Sequence, residues 1–247
     1  MENNKERAAR FERIYAKPWV PPLMTGRTKS FLFKNGKLKK YRKGGVIVSE
    51  DDYLEDIFIV KSGLLSNAIT HHALSKSFTM CGLRMPGHIS GYTTFILREP
   101  APVRITALTK TEISSVSFGQ MDEFLRENPD LKDEFIRHCG RCLRSEIDAM
   151  LAMTTASTEE RYWVLVASIF STLNILPSDP EAWYPLPFKI NRETMSYLLY
   201  VSVMTIDMLY AGLVKSGLMR WTQNGSELKA SAIIEFLKWI EERYAHN

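Results

Sequence analysis

What the chain lacks narrows the field first. Its 247 residues contain only three cysteines, an odd number in a long chain. No disulfide framework is therefore expected, and a reducing, cytoplasmic setting fits best. No apolar run approaches the roughly 18 residues that cross a bilayer, so no membrane partner is expected. The opening MENNKERAARFERIYAK is charged and has no apolar segment of the signal-peptide kind. Low-complexity tracts and tandem repeats are missing. So are a phosphate-cradling glycine loop, a nucleophile elbow and a His–carboxylate pair at catalytic spacing, which leaves no ground for reading an enzyme. No cofactor and no metal site is expected.

What is present is globular. The chain is 45% hydrophobic and 24% charged, long enough for two modest domains with a core each. A net charge of +4 leans basic, which fits nucleic acid without demanding it. Residues 1–24 read as a polar arm. From about Ser30 to Phe118 the texture is all-β, with short runs such as VIV (Val46–Val48), IFIV (Ile57–Val60) and ISSVS (Ile113–Ser117). Turn signals at KGG, SG and PG separate them, which predicts an antiparallel sandwich, roll or barrel.

The texture changes at Phe118. Gln120 to about Ala156 suits a long helix, with an interruption near Pro129. Ile136, Gly140, Leu143, Ile147 and Met150 recur at spacings of four and three, the pattern of a seam between two helices. The opposite side, with Phe135, Cys142, Ala149 and Met153, is also partly apolar. One face can dock on the β part and the other on a second copy; packing on its own domain alone is the alternative. STEE (Ser157–Glu160) is a capping box that opens a fresh helix to about Leu173, so Met153–Ala156 reads as a hinge. The proline-rich Pro177–Pro187 cannot be helix. Asn191 then caps a short helix, Arg192–Leu199, and Ser202 caps the next. Asn224–Gly225 signals a hairpin turn, and Ser231 to about Tyr244 closes as an amphipathic helix. Helix, helix-turn-helix and hairpin make a winged helix.

Taken together, RKGGVI, IFIVKSGLLS, MPGHISG and KINRETMSYLLYVSVMTIDMLYAGLVKSGLM resemble the CRP/FNR family of bacterial transcription regulators. The resemblance covers roughly residues 25–240. It implies an α+β fold with a β-roll sensing domain over 25–125, a dimerisation helix and hinge over 126–156, and a winged helix-turn-helix over 157–247. It also implies a homodimer, with seam Ile136, Leu143, Ile147 and Met150, that binds DNA, a small-molecule effector and RNA polymerase.

The chain departs from the cyclic-nucleotide members of that family. Tyr92 stands where they carry the glutamate that accepts from the ribose. Ala101 or Pro102 stands where they carry the arginine that holds the phosphate by charge-assisted bonds. Burying a phosphate without its guanidinium is costly, so cyclic AMP is not the expected effector. Tyr92, Phe95, Arg98 and Arg104 either frame a pocket for an aromatic or acidic small molecule, or pack and solvate the roll. HCGRC (His138–Cys142) carries the Cys-x-x-Cys spacing of zinc and redox sites, yet on a helix it supplies only two ligands, and packing is the plainer reading. His71–His72 reads as surface.

The segment that reads bases in well-known members runs here Ser202-Val203-Met204-Thr205-Ile206-Asp207-Met208. Their base-reading Arg and Glu are replaced by Val203, Met204 and Met208. Tyr200 occupies the turn position usually given to glycine. Groups that position phosphates remain: Arg192, Ser202 and Thr205, with Lys215, Arg220 and Lys229 around the wing. Residues 157–247 nevertheless carry 8 Lys/Arg against 10 Asp/Glu, a poor electrostatic footprint for DNA. Two functions stay open: a ligand-responsive DNA-binding regulator with apolar readout, and a relative without specific DNA binding that acts through protein partners via Met204 and Met208.

Overall fold

The computed structural model describes residues 17–70, 78–223 and 225–244; most of the expected arm and the His71–His72 pair lie outside them. It divides into two compact units, one over Pro21–Arg144 and one from Ser145 onward together with the N-terminal residues to Val20.

The first unit is built on two four-stranded antiparallel sheets. One has the order β1 (Lys37–Tyr41), β8 (Thr111–Ser117), β3 (Asp56–Ser62), β6 (Ile89–Ser90). The other runs β2 (Val46–Val48), β7 (Arg104–Ala107), β4 (Leu65–Thr70), β5 (Phe78–Arg84). Alternation along β3 decides the layering, because successive side chains point to opposite faces. Phe58 and Val60 join Ile105, Ala107 and Leu65 in one core cluster. Ile57 and Ile59 join a second cluster supplied by helices.

Helix intrudes twice on the stretch read as all-β from about Ser30. Gly26–Asn35 forms α1 and Tyr92–Leu97 forms α2. Both carry β-branched and aromatic residues that favour strand locally, and tertiary packing overrides that preference. Phe31 of α1 stacks on Phe124, with ring centroids 4.0 Å apart, and Ser114 Oγ donates to the Leu32 carbonyl at 2.7 Å. Tyr92 and Phe95, three apart on α2, both enter the second cluster.

The reading of residues up to 24 as a polar arm also needs correction where they are described. Trp19, Val20 and Met24 are buried. His88, fully buried, accepts from the Met85 amide at Nδ1 (2.7 Å), so its Nε2 carries the proton and donates to the Pro21 carbonyl at 2.7 Å. Met24 N–H donates to Gly87 at 2.9 Å. A single histidine thus ties the chain's entry to the PG turn, a role its sequence position does not announce.

Helix α3 (Phe118–Glu127) ends before Pro129, which opens α4 (Pro129–Thr155); proline suits a first helical position because its missing N–H is not needed there. Leu131, Phe135, Cys139 and Cys142 face the second core cluster. Ile136, Leu143, Ile147 and Met150 stay 38–51% exposed on the other side.

In the second unit the capping box forms as expected: Ser157 and Glu160 satisfy each other's backbone amides at the start of α5 (Thr158–Thr172). This helix is buried almost all round, from Tyr162 to Phe170. Arg161 donates to the carbonyls of Ala156 (2.9 Å) and Leu199 (2.7 Å); burial lowers its pKa. Around α5 stand α6 (Arg192–Leu199), α7 (Val203–Lys215) and α8 (Ala230–Tyr244), with a sheet of order β10 (Met219–Thr222), β11 (Gly225–Lys229), β9 (Trp183–Pro185). The proline-rich loop therefore contributes an edge strand, where a proline at the end removes no needed ladder bond.

Two glycines separate conformational strain from steric clash. Gly44 (φ +81°) has open space where a Cβ would stand, whereas at Gly63 (φ +91°) a Cβ would lie 2.5 Å from the Lys110 carbonyl oxygen and 2.8 Å from Thr111 Cα. Gly44→Ala should lower stability by about 1 kcal/mol, and Gly63→Ala by about 3 kcal/mol or more, because backbone must also move. Urea unfolding checks this; equal losses would count against the distinction.

Candidate nucleic-acid interface and sensor domain

Helices α6 and α7 meet at 100°, within the range of a helix-turn-helix. Each boundary is made by a local bond. Asn191 Oδ1 accepts from the Thr194 amide at 2.7 Å. Tyr200 adopts the left-handed conformation (φ 53°, ψ 55°) that ends α6, so the tyrosine makes the turn that glycine makes with less strain. Ser202 Oγ accepts from the Thr205 amide at 3.1 Å, and the two hydroxyls bond each other at 2.9 Å.

Every third or fourth residue of α7 is then committed inward: Ile206, Tyr210 and Leu213 are buried. Tyr210 packs edge-to-face on Tyr162 and Trp221; burial, aided by the Asp207 charge, pushes its phenol up to about 12. The outward face is apolar. Met204 and Met208 are 72% and 70% exposed, and Val203 41%.

The cations around this face are not idle. Arg192 Nη1 donates to Asp207 Oδ1 at 2.8 Å, between side chains 63% and 46% exposed. That pairing raises the guanidinium's pKa, by hydrogen bond and charge. Arg220 Nε donates to Glu227 at 2.7 Å and lies over the Trp183 ring, 4.5 Å from its centroid. Lys229 bonds Glu181 at 2.7 Å. Lys215 is exposed. A groove of about 900 Å³ runs beside the Arg192–Asp207 pair, lined also by Tyr210, Val214, Lys215 and Trp221. Sequence reasoning missed Trp221 as a member of this surface, and also the partner of Asp207, a residue whose place on the helix it does read. The 15-residue separation of Arg192 and Asp207 hides their pairing, and only the helix crossing brings them together.

In the first unit the four residues expected to frame an effector pocket lie by two different core clusters. Tyr92 and Phe95 are buried in the second core cluster. Phe95 meets Phe118 and Phe135 edge-to-face, at 5.3 and 5.9 Å. Arg98, left-handed at the end of α2, bonds both Asp122 oxygens at 2.9 and 2.6 Å. Its guanidinium lies 4.8 Å from the Phe95 ring centroid. Arg104 heads β7 opposite Ala68, next to residues of the other core cluster.

HCGRC is likewise a packing motif. Cys139 and Cys142 belong to the core beside α4, and the Cys142 sulfur lies 3.5 Å from His138 Nε2. Burial, then Cys142, pushes the Cys139 thiol well above its ordinary range, so the reactive thiolate is scarce at neutral pH. Among the described residues no three His, Cys, Asp or Glu side chains gather as metal ligands.

The family described as the cyclic nucleotide-binding domain matches residues 38–128. The chain is 21% identical over 178 residues to a transcriptional activator protein, Anr, of Pseudomonas aeruginosa, covering 72% of this chain and 70% of that one. It is 22% identical over 178 residues to the transcriptional activator protein FnrA of Stutzerimonas stutzeri, with the same coverage of 72% and 70%. Among solved structures, FixK2 from Bradyrhizobium japonicum matches with a TM-score of 0.67 at 15% identity, over 81% of this chain and 96% of that one. A CooA variant from Carboxydothermus hydrogenoformans matches with a TM-score of 0.64 at 14% identity, over 88% and 91%. At such identities the structural likeness speaks for the fold.

Burial, followed by the charges of Arg141 and Arg84, lowers the His138 pKa from 6.5 to about 4. The folded state therefore resists a proton that the unfolded chain accepts. Stability should be full above pH 6.5 and fall as pH drops towards 4, by at most about 1.4 kcal/mol per pH unit. Across that window the wild type should lose stability relative to His138→Leu. Parallel curves would show that His138 titrates normally in the fold.

Proposed function

We infer that this chain, a divergent member of the CRP/FNR family of bacterial transcription regulators, is a ligand-responsive DNA-binding regulator that does not answer to cyclic AMP. The observation that carries the DNA-binding part is the presentation of α7. It is capped, crossed at 100° by α6, anchored through Ile206, Tyr210 and Leu213, and open along the face that a major groove would meet. Val203, Met204 and Met208 would touch thymine methyls there, while Arg192, Ser202, Thr205, Lys215 and Arg220 would position phosphates.

The sensing role falls to residues 25–125, with 126–156 as dimerisation helix and hinge and 157–247 as the reading domain. Tyr92 argues against cyclic AMP: it fills core space where a ribose-binding glutamate would have to face a ligand. A cyclic phosphate would need a guanidinium, and Ala101 or Pro102 stands at the position that would supply it. The relatives are transcription regulators rather than enzymes, and we read this chain in the same way: a cytoplasmic homodimer that acts with RNA polymerase. Its seam is Ile136, Leu143, Ile147 and Met150, the exposed stripe of α4.

A second reading has its own support. Arg192 and Arg220 are already paired with carboxylates, and exposed methionines suit an adaptable protein contact. Binding of the full-length protein to genomic fragments across a salt series separates the two. On the first reading, fragments are retained with shallow sequence preference, since methyl contacts replace bidentate pairs worth about 1–3 kcal/mol each. Arg192→Ala should weaken binding alike on all sequences and lower the log–log salt slope by about one. Cyclic AMP should change nothing, with no calorimetric binding tighter than about 10 µM. Absence of binding to every fragment, with and without added metabolites, would favour the partner-binding reading.

The seam is checked separately. Leu143→Asp or Ile147→Asp would bury an unpaired charge between helices, which is expensive. Sedimentation should show dimers for the wild type and monomers for both variants; dimers in all three would reassign the seam.

A further inference from the structure

We propose that Asp207 is an internal stand-in for a DNA phosphate: it holds Arg192 in the free protein and surrenders it to the backbone when duplex DNA docks. The proposal rests on the DNA-binding reading and goes beyond it, because it assigns a role to a residue that neither contacts a base nor carries a favourable charge.

Three features support the exchange. The first is position. Arg192 is the first residue of α6, where a side chain meets the phosphate backbone flanking a major groove occupied by α7. The second is chemistry. A carboxylate presents a guanidinium with the same kind of anionic oxygen that a phosphate presents, here at 2.8 Å. Both side chains are largely in solvent, 63% and 46% exposed, so the pair is weak and breaks without exposing a buried charge. The third is what surrounds it. The pair borders a groove of about 900 Å³ that Asn191 and Lys215 also line, with Val214 and Trp221 as apolar wall. Trp221 is 59% exposed and braced edge-to-face by Tyr210, 5.7 Å between centroids. A phosphate displacing the carboxylate would gain a second cation in Lys215, and the neighbouring sugar would find an apolar surface.

The cost follows directly. Each binding event must break the internal pair and leave Asp207 among phosphates, so Asp207 weakens binding to every sequence. Arg192 then contributes to affinity only what remains after that exchange.

The test is the affinity of the full-length protein for one mixed-sequence duplex, measured by fluorescence anisotropy from about 50 to 200 mM salt. Wild type, Asp207→Asn, Arg192→Ala and the double variant are compared after thermal unfolding has verified their folds. Asp207→Asn should bind about two- to fivefold tighter near 100 mM salt, with a slope little changed, because Arg192 neutralises the same phosphate in both complexes. In the Arg192→Ala background the same change should give less than about twofold, since coupled groups are not additive. Binding by Asp207→Asn where the wild type shows none would support the proposal strongly. If the wild type binds and Asp207→Asn binds equally or more weakly, the exchange is wrong while the DNA reading stands. An undiminished gain in the Arg192→Ala background would reduce Asp207 to plain repulsion and overturn the exchange. Failure of all four proteins to bind would overturn both.

Discussion

Helix α4 carries more apolar surface than its own chain covers, and much of the architecture answers to that. On one side Leu131, Phe135, Cys139 and Cys142 close the core against Ile57, Ile59 and Val116. On the other, Ile136, Leu143, Ile147 and Met150 remain 38–51% exposed. A helix has one axis and cannot turn both faces to one core. Covering each half-exposed side chain fully would gain roughly 1 kcal/mol, multiplied over four side chains and over two copies. Gly140 lies within that stripe with no atom near a Cβ position, which lets a neighbouring backbone approach. The same conflict recurs on α7, where inward Ile206, Tyr210 and Leu213 leave Met204 and Met208 outside. Both surfaces are left open in a single chain, and they are the two that the function proposed above assigns to a second copy and to DNA.

The first unit shows the opposite arrangement. Groups that would be free to greet a ligand are engaged within the fold. Tyr92 and Phe95 pack the core, and Phe95 is braced between Phe118 and Phe135. Arg98 fastens α2 to α3 through Asp122 while its planar face covers Phe95. On the function proposed above, the stretch that would hold a cyclic nucleotide serves packing instead.

What was legible in the sequence is what depends on near neighbours. The caps at Ser157, Asn191 and Ser202 each involve partners three residues away, and the structure forms all of them. The interruption at Pro129 and the inward face of α4 follow from proline's missing N–H and from helical period. The helices α1 and α2 were not legible, because Phe31 and Tyr92 are fixed by residues far along the chain. His88 gave no signal at all: a histidine beside glycine reads as turn, and its two ring bonds reach Met85 and Pro21. Tyr200 was visible as a departure, and its left-handed backbone shows the turn tolerating it. Its ring, 57% exposed, avoids the burial that would have demanded a partner.

Charge on the reading domain follows the same division between local and distant. Counting residues gave 8 cations against 10 anions over 157–247, which reads as a domain hostile to DNA. Position changes the meaning of that count. Glu160 is consumed by a cap. Glu227 and Glu181 sit on Arg220 and Lys229 at the wing. Asp207 of α7 sits on Arg192 of α6. These carboxylates do not repel from a distance; they occupy the cations that a phosphate would need. A screened surface pair costs little to exchange, so the balance at this face is a competition between two anions for the same guanidinium. Net charge measures the outcome of that competition poorly, because it counts the winner and the loser alike.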